Sequence, residues 1–409
     1  MKNGAKMSSS RKKTILCISS YYKGIDFLKS AHNQGWYVIF VTSRSLEYEQ
    51  WPRESIDDLY FMPDNNKEWH LPDLIKAVSY LARNVVIDKI VALDDFDVEK
   101  AAALREHLRV PGMGETTMRY FRDKFSMRMK AREEAVLVPD FIHVLNYAEI
   151  NSFMERVDPP YIMKPRMQAG AIGMIKLETK THAWDVIHQL GDDQSNYLME
   201  KFVPGDIFHV DTIMQDYEVK FAICSIYGLP PLEVAHQGRV FTTRTVLHGS
   251  EDETALFEIN ARVLKALGMK TGVNHTEFIK GNDGKFYFLE TSARVGGANI
   301  VELVEAASGL NLWAEWAKLE TLEPGEKYKL PKVKKHYAAL LNSLAKQEYP
   351  DMDAYNDPEV VWRLKKQFHA GLVITSPKYD RTTKLLNSYV ERFYNDFFHF
   401  VPMGNKASN

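Results

Sequence analysis

The sequence predicts an α/β protein with an α+β centre, divided into several domains, and three observations carry that reading. Short apolar runs alternate with amphipathic stretches near the amino terminus, meander-like strand pairs and a glycine-tipped hairpin fill the middle, and strand and helix signals repeat from 329 onward. At 409 residues the chain is too long for one compact core, so about two to four domains are expected. Apolar residues make up 45% and charged residues 26%, an ordinary globular balance. The 52 basic and 54 acidic residues nearly cancel, to −2, so no global charge draws the chain to nucleic acid or to an anionic membrane. No apolar run approaches the length of a membrane span, and MKNGAKMSSSRKK has no signal-peptide form, so a cytoplasmic location is the expectation. Cys17 and Cys224 sit in separate apolar runs without metal-type spacing, as buried free thiols in a reducing compartment would.

Taken in order, TILCISS is a buried-strand run, 24–34 is helix-like, and WYVIFVTS is a second strand. Helices at 71–83 and 98–108 flank a strand at 89–93, which makes a small doubly wound sheet. No G-x-G-x-x-G follows the first strand, so no dinucleotide site is assigned. Ser19, Ser20 and Tyr21 end that strand, either as a substrate edge or as a plain loop. Val110-Pro111-Gly112 breaks the rhythm, and 116–134 has helical periodicity that sets Lys124 and Arg128 beside an apolar stripe. YIMKP is a strand that opens into RMQAGAIGM, where Gly170 and Gly173 allow backbone amides to close over a phosphate, though the spacing is not that of a P-loop. NYLMEKFVPGD is a strand running into a Pro204-Gly205 break that reads as a hinge. A meander at 208–214 and 218–227 follows, then Pro230-Pro231 and a turn carrying His236, Arg239 and Arg244, which either grip an anion or are scattered surface charges. A helix over 254–267 stops at Gly268. Beyond the hairpin come helices at 299–308 and 312–319, a lysine-rich linker at 329–335, the strand HYAALLNSLA, a helix from Pro358, the strand HAGLVITS and a striped helix over 379–398.

The hairpin organises the rest. HTEFI and KFYFLE flank Gly281-Asn282-Asp283-Gly284, which is turn chemistry. With Asn282 and Asp283 at the tip, Glu277 would face Phe288 and His275 would face Glu290, which leaves Glu277 and Glu290 diagonal on one face, about 7 Å apart. A bulge would shift this register. Ser292 follows on the same face, and two carboxylates with phosphate oxygens make a plausible Mg²⁺ shell. The plainer reading is two surface glutamates on an ordinary hairpin.

Asp123-Lys124, then Lys164-Pro165 with its glycine loop, then MEKFVPG, then Glu277, then Glu290 with Arg294 form an ordered series. In this order the chain resembles the ATP-grasp superfamily over about 119–319, and LETSARVGGANI is most similar to the L-amino acid ligases, which make dipeptides and related amides. The resemblance implies an ATP-grasp fold: a disordered tail at 1–13, an amino-terminal α/β domain at 14–115, a small lobe at 116–203, a large lobe with the metal site at 204–328, and a carboxyl-terminal α/β lobe at 329–409. It implies an ATP-dependent carboxylate–amine ligase that forms an amide through an acyl phosphate and releases ADP and phosphate. ATP and Mg²⁺ are the implied cofactors, with Mn²⁺ an admissible substitute, and the partners are small carboxylates and amines, with a homodimer allowed.

The same resemblance assigns Lys124 and Lys164 to the α- and β-phosphates, and the loop with Gly170 and Gly173 as their cover. It gives the backbone of Lys201 and Val203 to adenine, with Glu200 beside them. Glu277 and Glu290 take the metal, with Ser292 where relatives often have asparagine in E-x-N-x-R. Arg294 steadies the carboxylate and the acyl phosphate, aided by the amides of Gly296 and Gly297, while His236 and Arg244 are offered as substrate contacts. The ribose-binding glutamate common in the family is replaced by Ile207, with Asp206 adjacent. A bicarbonate-activating enzyme of the biotin carboxylase kind and an ATP-binding scaffold without turnover are the alternatives. The first lacks an AMKM-type carrier lysine, and intact Lys124, Lys164, Glu277, Glu290 and Arg294 argue against the second.

Overall fold

The computed structural model describes residues 11–400, so of the tail expected at 1–13 only 11–13 fall within the described residues, as irregular chain. The chain divides into two compact units: residues up to Glu115 with Trp313–Glu326, and Thr116–Leu312 with the residues from Lys327 onward. Among the described residues no helix is long and apolar enough to cross a membrane. Cys17 and Cys224 are free and buried.

The first unit runs β1 (Thr14–Ser19), α1 (Ile25–Asn33), β2 (Tyr37–Ser43), β3 (Asp58–Met62), α2 (Leu71–Leu81), β4 (Lys89–Ala92) and α3 (Val98–Leu108). Its sheet is parallel, in the order β3-β2-β1-β4. Every residue of β1 is buried, as a continuous apolar run in a parallel sheet should be. Strand β3, which the sequence did not suggest, is a half-exposed edge whose short DLYFM run lacks a clear period. At the carboxyl end of β1, the Ser20 backbone N–H and hydroxyl both donate to buried Asp97, at 2.5 and 2.8 Å. That loop holds itself together, so the plain-loop reading of Ser19–Tyr21 accounts for it.

The second unit starts with α4 (Glu115–Met118) and α5 (Lys124–Glu133). The single helix expected over 116–134 is broken here because Asp123 acts as a cap: its side chain accepts the Phe125 N–H at 3.0 Å. An aspartate stabilises a helix start better than it serves a helix interior. Then come β5 (Phe141–His143), α6 (Tyr147–Arg156), β6 (Tyr161–Pro165), β7 (Ile175–Leu177), α7 (Lys180–Leu190) and β8 (Tyr197–Lys201). They form an antiparallel sheet in the order β5-β8-β6-β7, with α6 and α7 packed on one face around Phe153, Tyr161, Met163 and Ile187.

The chain continues through β9 (Gly205–Gln215), β10 (Glu218–Tyr227), α8 (Pro231–Gln237), β11 (Phe241–Thr245), α9 (Glu251–Ala266), β12 (Gly272–Gly281), β13 (Phe286–Ser292) and α10 (Ile300–Ser308). After α11 (Leu312–Glu320), whose Trp316 packs edge-on against Phe27 in the first unit, come β14 (Tyr337–Leu344), β15 (Val360–Arg363), β16 (His369–Ser376) and α12 (Tyr379–Asp396). One eight-stranded sheet, β13-β12-β9-β10-β11-β14-β16-β15, contains them all, so it runs on across the lobe boundary expected at 328 through the pairing of β11 with β14. The helix expected from Pro358 is instead strand β15, where Val360, Val361 and Trp362 favour the extended chain and pair with β16. Gly205 is no free hinge. It opens β9 against Lys280, where any Cβ would come within 2.0 Å of the Lys280 carbonyl.

The stripe expected on α12 is buried as a core with Tyr355, Leu341 and Leu372, and Phe393 at its centre is fully buried. Phe393→Ala should lose about 3–5 kcal/mol of unfolding free energy by denaturant titration. At the start of α5, burial pushes the Asp123 carboxyl up, but the Arg166 guanidinium, the Ser126 hydroxyl and the Phe125 N–H outweigh it and hold it below the usual range. The stabilisation is therefore fully present above the unfolded value of about 3.9 and is lost as pH falls through the lower folded value. Asp123→Ala should cost about 1–2 kcal/mol at neutral pH, and the gap to wild type should close progressively below about pH 4.

Candidate active site

The hairpin β12–β13 forms one edge of the long sheet, and its register decides where the acids point. Gly281 N–H bonds the Lys285 carbonyl, so the loop is Asn282-Asp283-Gly284, with Gly284 in the left-handed region at φ 77°. A third loop residue displaces the pairing expected for a two-residue tip. A bulge after Glu277 shifts it again, so Glu277 faces Glu290 directly and His275 faces Ser292, where Phe288 and Glu290 had been expected. Correcting the register brings the two carboxylates closer than the diagonal arrangement would. Glu277, Glu290 and Ser292 then offer oxygen donors from one face, the ligand set a hard cation such as Mg²⁺ takes.

Cations meet these acids from α5. Lys124, the first residue of that helix, reaches Glu290 at 2.8 Å, and its N–H bonds the Arg166 carbonyl at 2.9 Å. One turn on, Arg128 lies with its guanidinium 5.6 Å over the Phe288 ring and its Nε 2.5 Å from Glu200 on β8. The other Glu200 oxygen holds Lys164 of β6 at 2.6 Å. Lys164, Arg128 and Glu200 are all buried. Burial pushes the Glu200 carboxyl up, but Arg128 and Lys164 outweigh it and hold it below the usual range. Arg128 was visible in the sequence as a charge beside the stripe, but nothing there gave it a partner on β8.

A second set of side chains went unnoticed in the sequence. On the same face as Glu277 lie His209 and Asp211 of β9, Tyr227 of β10 and Thr243 of β11, set by register rather than by spacing. Tyr227 donates its hydroxyl to Glu277 Oε1 at 2.7 Å, and His275 Nε2 lies 3.6 Å from the same oxygen. Asp211 holds His275 Nδ1 at 2.9 Å and His209 Nδ1 at 2.8 Å. Burial lowers the His275 pKa, yet Asp211 and Glu277 overcome it and raise it to about 9. His209 goes the other way, since burial outweighs Asp211. Neutral His209 donates through Nδ1 to Asp211, which leaves Nε2 to accept the Thr243 hydroxyl at 2.8 Å. Burial pushes the Glu277 carboxyl up, but His275, Tyr227 and His209 together bring it down.

The remaining expected residues are distributed unevenly. Gly170 and Gly173 have left-handed backbones, at φ 68° and 70°, in the loop between β6 and β7. The base of that loop is tied to the α5 end by Lys124 donating to the Gln168 carbonyl at 2.5 Å and Arg122 to Met167 at 2.6 Å. The Lys201 N–H is committed to the Asp140 carbonyl, and its ammonium to Asp158 and Pro159. Val203 lies between β8 and β9. Ile207 shares the site face, and Asp206 therefore faces the other way. Arg244 also faces away: its neighbour Thr243 points to His209, while Arg244 stacks on the Tyr379 ring at 5.0 Å and donates to its hydroxyl. In the structure it thus anchors α12 from the face opposite Thr243. His236 is exposed near the end of α8, a helix where a turn was expected, in the connection that leaves β10 just after Tyr227. Arg294 donates to the Val295 carbonyl at 2.7 Å, beside Gly297. Gly296 packs so tightly that a Cβ there would sit 3.0 Å from Asp211 Oδ1.

Residues 157–302 match the ATP-grasp domain family. The chain is 25% identical over 232 residues to the L-arginine-specific L-amino acid ligase of Bacillus subtilis, an alignment covering 55% of this chain and 56% of that protein, so it spans about half the length of that relative. It is 23% identical to a D-alanine–D-alanine ligase of Neisseria gonorrhoeae over 50% of this chain and 69% of that enzyme. Among solved structures, an L-amino acid ligase from Bacillus licheniformis superposes with a TM-score of 0.75 at 17% identity, covering 97% of this chain and 100% of the other. The antiparallel small sheet, the long sheet with its acidic edge hairpin and the match over residues 157–302 agree: the chain has the ATP-grasp fold, carries a segment that matches the ATP-grasp domain family, and is similar to the L-amino acid ligases.

Proposed function

We propose that this protein is an ATP-dependent ligase that joins the carboxylate of one amino acid to the amine of a second amino acid or amine. The observation that carries the reading is the approach of Lys124 to Glu290, with Glu277 directly opposite and the Lys164–Glu200–Arg128 cluster one helical turn away. A bound triphosphate would draw Lys124 and Lys164 from their carboxylate partners to its α- and β-phosphates. Gly170 and Gly173 give the covering loop its bends, and the backbone about Lys201 and Val203 would meet adenine. Glu277, Glu290 and Ser292 would hold Mg²⁺, which when bound neutralises phosphate charge.

Arg294 would orient the substrate carboxylate, whose oxygen attacks the γ-phosphorus as ADP leaves. It would then steady the acyl phosphate together with the Gly296 and Gly297 amides. The amine attacks the acyl carbon, phosphate departs and the amine gives up a proton, which balances the amide product. Lys164, Glu200 and Arg128 are buried, so the charges of this cluster act in a poorly screened setting. His236, exposed on α8, is the candidate contact for the second substrate.

Phosphate release from purified protein with ATP, Mg²⁺ and paired amino acids, L-arginine among them, tests the reading. Release that requires two amino acids is the expected result; dependence on bicarbonate, or nucleotide binding without release, would overturn it. Glu290→Gln and Lys164→Ala should each reduce turnover at least about a hundredfold while the circular dichroism spectrum stays unchanged. Arg294→Lys should also fail, because a point charge does not replace a planar two-pronged grip.

A further inference from the structure

Glu277 is held from behind, and this support uses buried groups to which no step above assigns a role. We propose that Tyr227, backed by the chain Thr243–His209–Asp211–His275, is a positioning residue that fixes the Glu277 carboxylate for Mg²⁺. The inference rests on the reading of Glu277 as a metal ligand. Tyr227 and His275 both address Oε1, at 2.7 and 3.6 Å, so that oxygen is engaged and Oε2 keeps the free acceptor capacity of the carboxylate. A glutamate side chain left to itself samples several rotamers, and ordering it costs free energy each time a cation binds. Mg²⁺ demands near-octahedral ligand placement, so a carboxylate already fixed should bind it more tightly.

The chain behind Glu277 is built to be stiff. His209, Asp211 and Thr243 are fully buried, and His275 and Tyr227 nearly so. Each Asp211 oxygen receives one imidazole N–H, and His209 spends its second nitrogen on Thr243. His209, Asp211 and His275 also cluster tightly enough to suggest a metal of their own. In the structure both Asp211 oxygens and both His209 nitrogens are taken up by hydrogen bonds within this network, which ties it together behind Glu277. Because Gly296 rests against Asp211, the same support lies under the loop assigned above to the acyl phosphate.

The test is the Mg²⁺ concentration needed for half-maximal ADP binding by the full chain, read by calorimetry, together with kcat and the KM for Mg²⁺. Tyr227→Phe removes one hydroxyl and keeps the ring; it should raise the Mg²⁺ midpoint about tenfold or more while kcat at saturating Mg²⁺ stays within a few fold of wild type. Asp211→Asn should shift the midpoint in the same direction, and it decides the matter if Tyr227→Phe does not fold. An unchanged midpoint in a folded variant overturns the inference. Glu277→Gln in the same titration separates the two levels. If it shifts the midpoint and Tyr227→Phe does not, only the positioning role falls; if Glu277→Gln leaves the midpoint unchanged, the metal reading falls and takes this inference with it.

Discussion

Lys124 and Arg128 stand one turn apart on α5, and each ends on a carboxylate of a different sheet, Glu290 at the edge of the long one and Glu200 in the short one. Taking a charge out of water costs several kcal/mol unless a partner and further hydrogen bonds meet it. Glu200 is almost completely buried and is met twice, by Arg128 and by Lys164. The helix therefore cannot rotate or slide without leaving a buried acid unpaired, and this fixes where its first residue points. The Asp123 cap sets that first residue, so a single side-chain-to-backbone hydrogen bond places the Lys124 ammonium over the acidic hairpin.

The long sheet explains why the acids gather at one edge. His209, Asp211, Tyr227, Thr243, His275, Glu277 and Glu290 come from neighbouring strands, and register puts them on one face. The opposite face carries Thr212, Thr276 and Thr291 with the ring of Phe278, where Asn260 of α9 bonds Thr212 at 2.9 Å. Charge is concentrated on one side, alternating in sign from Asp211 through the raised imidazole of His275 to Glu277. Alternation along that line lets a buried carboxylate stay ionised next to another one.

Much of this was legible in the chain itself. Periodicity located β1, β2, β4, β6, β9, β10 and most helices because each is long or flanked by strong breakers. The ordered series from Asp123 to Arg294 singled out the acids and lysines through the family resemblance it carries. What escaped notice has a common cause. Glu277 and Tyr227 are 50 positions apart, His275 and Asp211 64, and Arg128 and Glu200 72, and no local pattern records such pairings. The bulge at the hairpin is also silent in sequence, yet it turns a diagonal pair of acids into a facing one. Arg244 shows the complementary limit: strand alternation reverses the face of every second residue, and without the register an arginine gives no sign of which side it takes.

The strands beyond 336 then acquire a reason to share the long sheet. Asn342 of β14 lies on the site face, opposite Phe241, and donates its amide to the Ala298 carbonyl at 2.8 Å. Ala298 and Asn299 both have left-handed backbones, at φ 50° and 67°, a conformation asparagine accepts readily but alanine adopts at a cost its surroundings must offset. The turn from Arg294 into α10 is accordingly gripped from two sides, by Asp211 beneath Gly296 and by Asn342 beyond it. A loop so held keeps its backbone in place without needing a ligand to order it, and the role proposed above for the Gly296 and Gly297 amides would rest on that preorganisation. A separate carboxyl-terminal lobe could not supply it, because the hold depends on β14 continuing the sheet that carries Asp211.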